Sequence, residues 1–227
     1  MDDPYADARA RMVAEQIRAR GVRDPRVLEV MARVPRHLFV PPANQAEAYD
    51  DHPIAIGFGQ TISQPYIVAF MTEALRLEPS HRVLEIGTGC GYQTAVLAEL
   101  TGEVYSIEVI ESLATRARET LDRLGYRDVR LRTGDGYGGW PEHAPYDRVV
   151  GAAAPEDIPP ALFDQLVDGG ILAMPIGVIN QELQVVRRSG DRLTTLATMP
   201  VRFVPMVRQP DDRRNTPRSG PGPSSSR

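Results

Sequence analysis

Apolar positions along this chain keep two rhythms, and the change between them falls near residue 80. Before it, the spacing is helical or irregular. Met12, Val13 and Ile17, with arginines between them and a stop at Gly21, predict a first helix. Asp24-Pro25 reads as a cap followed by proline in the first turn. Val27, Leu28, Met31 and Val34 then make a second amphipathic helix that Pro35 ends. After Pro65, residues Ile67, Phe70, Met71, Ala74 and Leu75 share one face of a third helix, with Gln64 or Ser63 as its N-cap. Between the second and third helices, residues 35–63 follow neither period. Prolines recur through Pro35–Pro42 and at Pro53, and glycines at Gly57 and Gly59. A loop this long in a compact domain usually serves function or is disordered. Its aromatic and apolar content argues for packing, over the ligand edge of a sheet.

From residue 82 onward, short apolar runs alternate with amphipathic segments. Strand 83–86 leads to helix 91–100, and strand 103–108 to helix 111–124, whose core face is Leu113, Ala117, Leu121 and Leu124. Val129–Arg132 and Asp147–Val150 read as two further strands. Pro159-Pro160 opens a helix carrying Leu162, Phe163 and Leu166, and Gly169-Gly170 turns into a strand at Ile171–Met174. This β-α-β-α order predicts an α/β fold with a doubly wound, mostly parallel sheet, whose ligands sit at the C-terminal ends of the strands. Glu182–Arg188 and Leu193–Leu196, joined by Ser189-Gly190-Asp191, read as a hairpin, so the sheet gains an antiparallel C-terminal edge. Val201–Val207 reads as one more extended piece. Three parts follow: an N-terminal helical and loop extension, 1–80, contributing to a substrate site; an α/β domain, 81–208; and a Pro/Arg/Ser/Gly tail, 209–227, expected to be disordered.

Composition narrows the classes. The 26 basic and 30 acidic side chains leave a net charge of −4, without the basic excess of a nucleic-acid binder. No apolar run approaches the roughly 20 residues of a membrane span. Met1-Asp2-Asp3-Pro4 is acidic and lacks the apolar stretch of a signal peptide. Cys90 is the single cysteine, which excludes an internal disulfide and suits a reducing cytoplasm. His37, His52, His81 and His143 are scattered, so no metal site is expected.

Candidate chemistry concentrates at Val83–Tyr92. An apolar run stops at Gly87-Thr88-Gly89-Cys90-Gly91, and a helix pattern follows at once. Such a turn lets backbone approach a ligand closely. About 20 residues beyond the first glycine, a second strand ends in Glu108, where a carboxylate can bond ribose hydroxyls. The spacing is G-x-G-x-G and lacks the third glycine of a dinucleotide motif. A nucleoside without a pyrophosphate fits better, and S-adenosylmethionine is a common one. Ser63 stands beside the free N–H groups of a helix start, a place that suits a carboxylate. On local chemistry alone it reads more readily as a simple cap.

Four stretches resemble the protein-L-isoaspartate O-methyltransferase family. They are Arg23–Leu28 with Val34–His37; Gly59-Gln60-Thr61-Ile62-Ser63-Gln64-Pro65-Tyr66; Val83–Tyr92; and Gly134-Asp135-Gly136 with Gly139-Trp140-Pro141. The resemblance runs from about residue 9 to 207, and its Gln60–Tyr66 stretch is specific to the family. It implies a Rossmann-like class I methyltransferase fold. The implied activity is protein repair: a methyl group moves from S-adenosyl-L-methionine to the α-carboxylate of L-isoaspartyl residues in damaged proteins and peptides. It assigns Ser63 as the active-site residue, with Ile62, Gln64, Ala153 and Ala154 beside the substrate. It places the cofactor among Glu85, Gly87, Thr88, Gly89, Gly91, Glu108, Val109, Gly134, Asp135 and Gly136, with Glu108 at the ribose and Asp135 at the adenine. A cytoplasmic monomer, with no nucleic-acid or membrane partner, completes the expectation. Cys90 and Gly151 depart from the family pattern, which often has Ser and Thr there. Two other readings share parts of this evidence: a class I methyltransferase acting on a small-molecule carboxylate, and a nicotinamide-dependent oxidoreductase.

Overall fold

The computed structural model describes residues 3–208, so the tail expected to be disordered lies outside the described residues. Helix α1 (Ala6–Arg11) continues through a π-helical turn at Met12–Ile17 and a 3-10 turn at Arg18–Arg20. It stops at Gly21, whose φ of 101° suits the residue without a Cβ. Helix α2 (Pro25–Arg33) starts where expected, with the Asp24 carboxylate accepting from the Arg26 N–H at 2.9 Å. Val27, Leu28, Val30 and Met31 are its buried side chains. Two 3-10 turns, Arg36–Phe39 and Pro42–Glu47, lead into a hairpin of β1 (Ile54–Gly57) and β2 (Gln60–Ile62).

That hairpin is absent from the periodicity because its strands are only four and three residues long. Its tip, Gly57-Phe58-Gly59, takes positive φ throughout. Helix α3 (Pro65–Ala74) buries Tyr66, Val68, Ala69, Met71 and Thr72, while Ile67 and Phe70 are only half-buried. The expected face is therefore rotated. From Tyr66 to Met71 the segment is apolar all round, so spacing cannot pick the buried stripe.

The remaining elements are β3 (Arg82–Ile86), α4 (Tyr92–Ala98), β4 (Glu103–Glu108), α5 (Glu111–Arg123), β5 (Arg130–Thr133), β6 (Tyr146–Gly151), α6 (Pro160–Asp164), β7 (Leu166–Ile176), β8 (Glu182–Ser189) and β9 (Arg192–Pro200). They form a seven-stranded sheet in the order β5-β4-β3-β6-β7-β8-β9. Pairing is parallel from β5 through β7 and antiparallel for β8 and β9, the expected edge. Strand order reverses beside β3, and the crevice for a ligand opens there.

Three expectations change in this half. Leu166 belongs to β7, because α6 is only five residues long. Gly169-Gly170 lies inside β7, and the β6–β7 register shifts nearby, between Tyr146 and Arg148. Val201–Val207 forms no strand: Pro205 makes an isolated bridge to Ala154, the Val201 N–H donates to the Gln181 carbonyl, and Met206 packs in the apolar cluster on the sheet. Two apolar clusters flank the sheet. One joins Val83, Leu97 and Leu113 to Met12, Val27, Met31 and Val68, so the N-terminal extension shares a core with the sheet. The other holds Leu84, Ile86, Val149, Leu172 and Met174 on the opposite face.

Candidate active site

Strand β3 delivers its backbone into a turn that the next strand holds open. The N–H groups of Gly87 and Thr88 both donate to the Ile107 carbonyl, at 2.8 and 3.3 Å. Glu108, at the end of β4, is buried. One of its oxygens accepts from the Gly89 N–H at 2.8 Å and the other from the Ile110 N–H at 2.9 Å. Each oxygen keeps a lone pair for a further donor. Around this frame lies an open cleft of about 600 Å³, walled by Gly87, Gly89, Glu108, Val109, Gly134 and Gly136. Ala152, Ala153 and Val204–Val207 form the facing wall, and Gln60 and Thr61 of the hairpin cover it.

Two glycines of this region have specific duties. A Cβ on Gly136 would lie 2.5 Å from Ile86 Cγ2, so only glycine lets the β5 turn approach β3. Gly91, at φ 88°, starts α4, and a Cβ there would press on Leu121 at 3.2 Å. Gly91 therefore supports the turn by packing and does not line the cleft. The Asp135 carboxylate accepts from the Tyr137 N–H at 2.8 Å and lies 3.6 Å from Arg208 Nη1, beside the cleft but outside its lining.

A second cavity continues inward past the glycine turn, between Glu85, Thr88, Cys90, Gln93, Ile62 and Ser63. Glu85 is fully buried. Its Oε2 accepts from Thr94 Oγ1 and Ser106 Oγ, both at 2.6 Å, while Oε1 has no partner among the described residues. Burial pushes the Glu85 carboxyl up to about 7, against the two hydroxyl donors that favour its ionised form. Burial likewise pushes the Cys90 thiol up to about 11, so this half-buried cysteine is a neutral thiol at pH 7.

Ser63 links β2 to α3. The N-cap of α3 is Gln64, with no side-chain cap bond, and the Ser63 hydroxyl makes no hydrogen bond among the described residues. Capping therefore does not occupy it. Gln64 turns elsewhere: its amide donates to the Asp51 carbonyl at 3.1 Å and carboxylate at 2.8 Å. Asp51 in turn pairs with Arg20 at 3.2 Å. Ser63, Thr61 and Ala152 line both the inner cavity and an outer groove that opens between Arg20, Ile67 and Met199–Val204. Ser63 thus stands at the passage between a buried cleft and the surface.

Thr61, Ala152 and Val204 were not singled out in the sequence, although all three line this passage. Thr61 lies within the family-specific stretch, and Ala152 directly precedes Ala153 and Ala154. Ala153 lines the outer cleft. Ala154 is buried, its N–H donating to the Val204 carbonyl at 2.9 Å and its carbonyl accepting from the Met206 N–H at 2.8 Å. It ties down the segment that forms the facing wall. Gly151 has a structural counterpart: a Cβ there would lie 2.8 Å from Met174 Cγ, so Met174 fills the room a larger side chain would need. Among the described residues no three His, Cys, Asp or Glu side chains group as metal ligands, and no helix is long and apolar enough to cross a membrane.

A parallel sheet with this strand order, a glycine turn after β3 and a carboxylate closing β4 define a class I methyltransferase, which takes its methyl group from S-adenosyl-L-methionine. Solved structures agree on the fold. A protein-L-isoaspartate O-methyltransferase superposes with a TM-score of 0.79 at 28% identity, over 87% of this chain and 65% of its own. A beta-aspartate methyltransferase from Plasmodium falciparum, in complex with S-adenosyl-L-homocysteine, gives 0.76 at 22% identity over 91% and 99%. The family model for protein-L-isoaspartate(D-aspartate) O-methyltransferase matches residues 8–211. Relatives of that name from Synechococcus sp. (strain JA-2-3B'a(2-13)) and Gloeobacter violaceus are each 54% identical. The alignments cover 90% of this chain and 87% of the first relative, and 87% and 98% for the second. The chain belongs to the protein-L-isoaspartate O-methyltransferase family. It is a protein repair methyltransferase that uses S-adenosyl-L-methionine.

Proposed function

We propose that Ser63 orients the α-carboxylate of an L-isoaspartyl residue at the inner end of the outer groove, facing a methyl donor held over the glycine turn. The observation that carries this reading is the free Ser63 hydroxyl at the passage between the two cavities. Bound S-adenosyl-L-methionine supplies a methyl group already activated on a sulfonium. The residues present suit that cofactor. Glu85 Oε1, buried and without a partner, is an acceptor awaiting a donor such as an ammonium. The remaining lone pairs of Glu108 suit ribose hydroxyls, and Val109, Gly134 and Gly136 offer an apolar slot for a base. Asp135, beside the cleft, accounts for a base amine. Thr88, bonded to Ser106 at 2.6 Å, keeps the turn in shape around Glu85.

The substrate carboxylate has a pKa near 4 and arrives ionised, so no general base is required. The chain's work is to position it and exclude water. Ser63 donates to one carboxylate oxygen and leaves the other to attack. Ile62 walls the inner cavity, and Gln64 braces the loop through Asp51. A lone cysteine held as a thiol is in keeping with a reducing cytoplasm.

The test is transfer of a labelled methyl group to an isoaspartyl peptide beside its normal aspartyl twin. Label on the isoaspartyl peptide alone is expected. Equal labelling of both, or of neither, would overturn the reading.

A further inference from the structure

Arg36 is fully buried, yet among the described residues no carboxylate pairs with it. Its Nε donates to the Ala48 carbonyl and its Nη2 to the Ser63 carbonyl, both at 2.7 Å. The guanidinium lies 4.9 Å from the centre of the Tyr92 ring, and Nη1 has no partner. Burying a cation with no counter-ion is costly, and an apolar side chain of similar length would fill the space more favourably. Stability alone therefore gives a weak account of an arginine here.

Its donors supply a better one. Ser63 and Gln64 alone separate β2 from α3, and the first N–H bonds of α3, from Ile67 and Val68, close on the Gln64 carbonyl. Pro65 brings no N–H. The Ser63 carbonyl is outside both the hairpin ladder and the helix, and Arg36 is the donor that holds it.

We infer that Arg36 is a positioning residue: its two-carbonyl clamp, from Ala48 to Ser63, sets the backbone from which the Ser63 hydroxyl reaches the substrate carboxylate. This rests on the role proposed for Ser63. A fork of fixed donors can span two carbonyls, whereas a lysine offers a single point of attachment.

The test is a double-mutant cycle on the full chain, with Arg36→Met, which keeps length and packing, and Ser63→Ala. Kinetics on an isoaspartyl peptide are paired with cofactor calorimetry, below the melting temperature of every variant. Arg36→Met should lower kcat by about ten- to a hundredfold and leave cofactor affinity within about threefold. In the Ser63→Ala background the same change should cost less than about threefold, because the two act as one unit. Arg36→Lys, which retains one donor, should fall between wild type and Arg36→Met, and replaces it in the cycle if Arg36→Met does not fold. Equal losses in both backgrounds would overturn the clamp, as would full activity of Arg36→Met while Ser63→Ala is impaired. Full activity of Ser63→Ala would instead remove the Ser63 role, and this inference with it.

Discussion

At the residue scale, Glu85 and Ser63 make opposite demands on their surroundings. Ser63 needs little: a hydroxyl left free by the helix start. Ser63→Ala should lower kcat/KM by about ten- to a hundredfold, the loss of one hydrogen bond to a charged group, with cofactor affinity unchanged. Because Gln64 already holds the N-cap position, the melting temperature should barely move; a full-activity but less stable variant would sink the assignment. Glu85 needs a partner. Burial lifts its folded pKa to about 7, above the ordinary 4.5, so between those values the folded chain keeps a proton that the unfolded chain has lost. Its cost to stability therefore builds from about pH 4.5 and is complete above about pH 7. Glu85→Gln should accordingly be more stable than wild type at about pH 8, and not at about pH 4, in paired thermal melts. If the ionised form meets a cofactor ammonium, affinity should rise with pH between about 6 and 7, by up to about tenfold per unit. Calorimetry on Glu85→Gln should find that slope flattened; an equal slope in both proteins would show that Glu85 stays out of cofactor binding.

At the element scale, legibility followed length and context. The β3 turn and the β4 carboxylate were readable because an apolar strand, three glycines and a helix pattern follow one another without a break. The β1–β2 hairpin that covers the cleft was not, since seven strand residues carry too little alternation to register. Nor did spacing reveal the wall at Val204–Val207, which the Ala154 backbone positions without any side-chain signature. The roles of Gly91 and Gly151 depend on Leu121 and Met174, residues about 30 and 23 positions away, so only packing reveals them. That coupling can be tested. Gly151→Thr should destabilise by about 1–3 kcal/mol, the usual cost of overpacking, and Gly151→Thr with Met174→Ala should recover much of it. Additive losses in denaturant melts would mean that Met174 is not what excludes the larger side chain.

At the scale of the whole molecule, every one of the 26 basic side chains is arginine, and many are used as ties between segments distant in sequence. Arg9 donates to Ala32, Arg36 to Ala48 and Ser63, Arg118 to Val129, and Arg188 to Phe163 and Asp164. Arg148 is the clearest structural case outside the site. From β6, which pairs with β3 and β7 in the middle of the sheet, its guanidinium donates to the carbonyls of Leu75, the C-cap of α3, and Arg76, the residue after it. Those are helix-end carbonyls without intrahelical donors, and a cation suits the negative end of the helix. Arg148 lines none of the cavities around Ser63. Arg148→Lys keeps the charge and loses the fork, so it should cost about 1–3 kcal/mol, or roughly 2–12 °C in melting temperature for a chain of this length. Activity at 25 °C should stay near wild type, whereas Arg36→Lys should lose activity. The same substitution at a half-buried clamp and a fully buried one thus separates a tie that holds the fold from one that holds Ser63. An Arg148→Lys protein with an unchanged melting temperature would mean that the helix end is secured by its own packing instead.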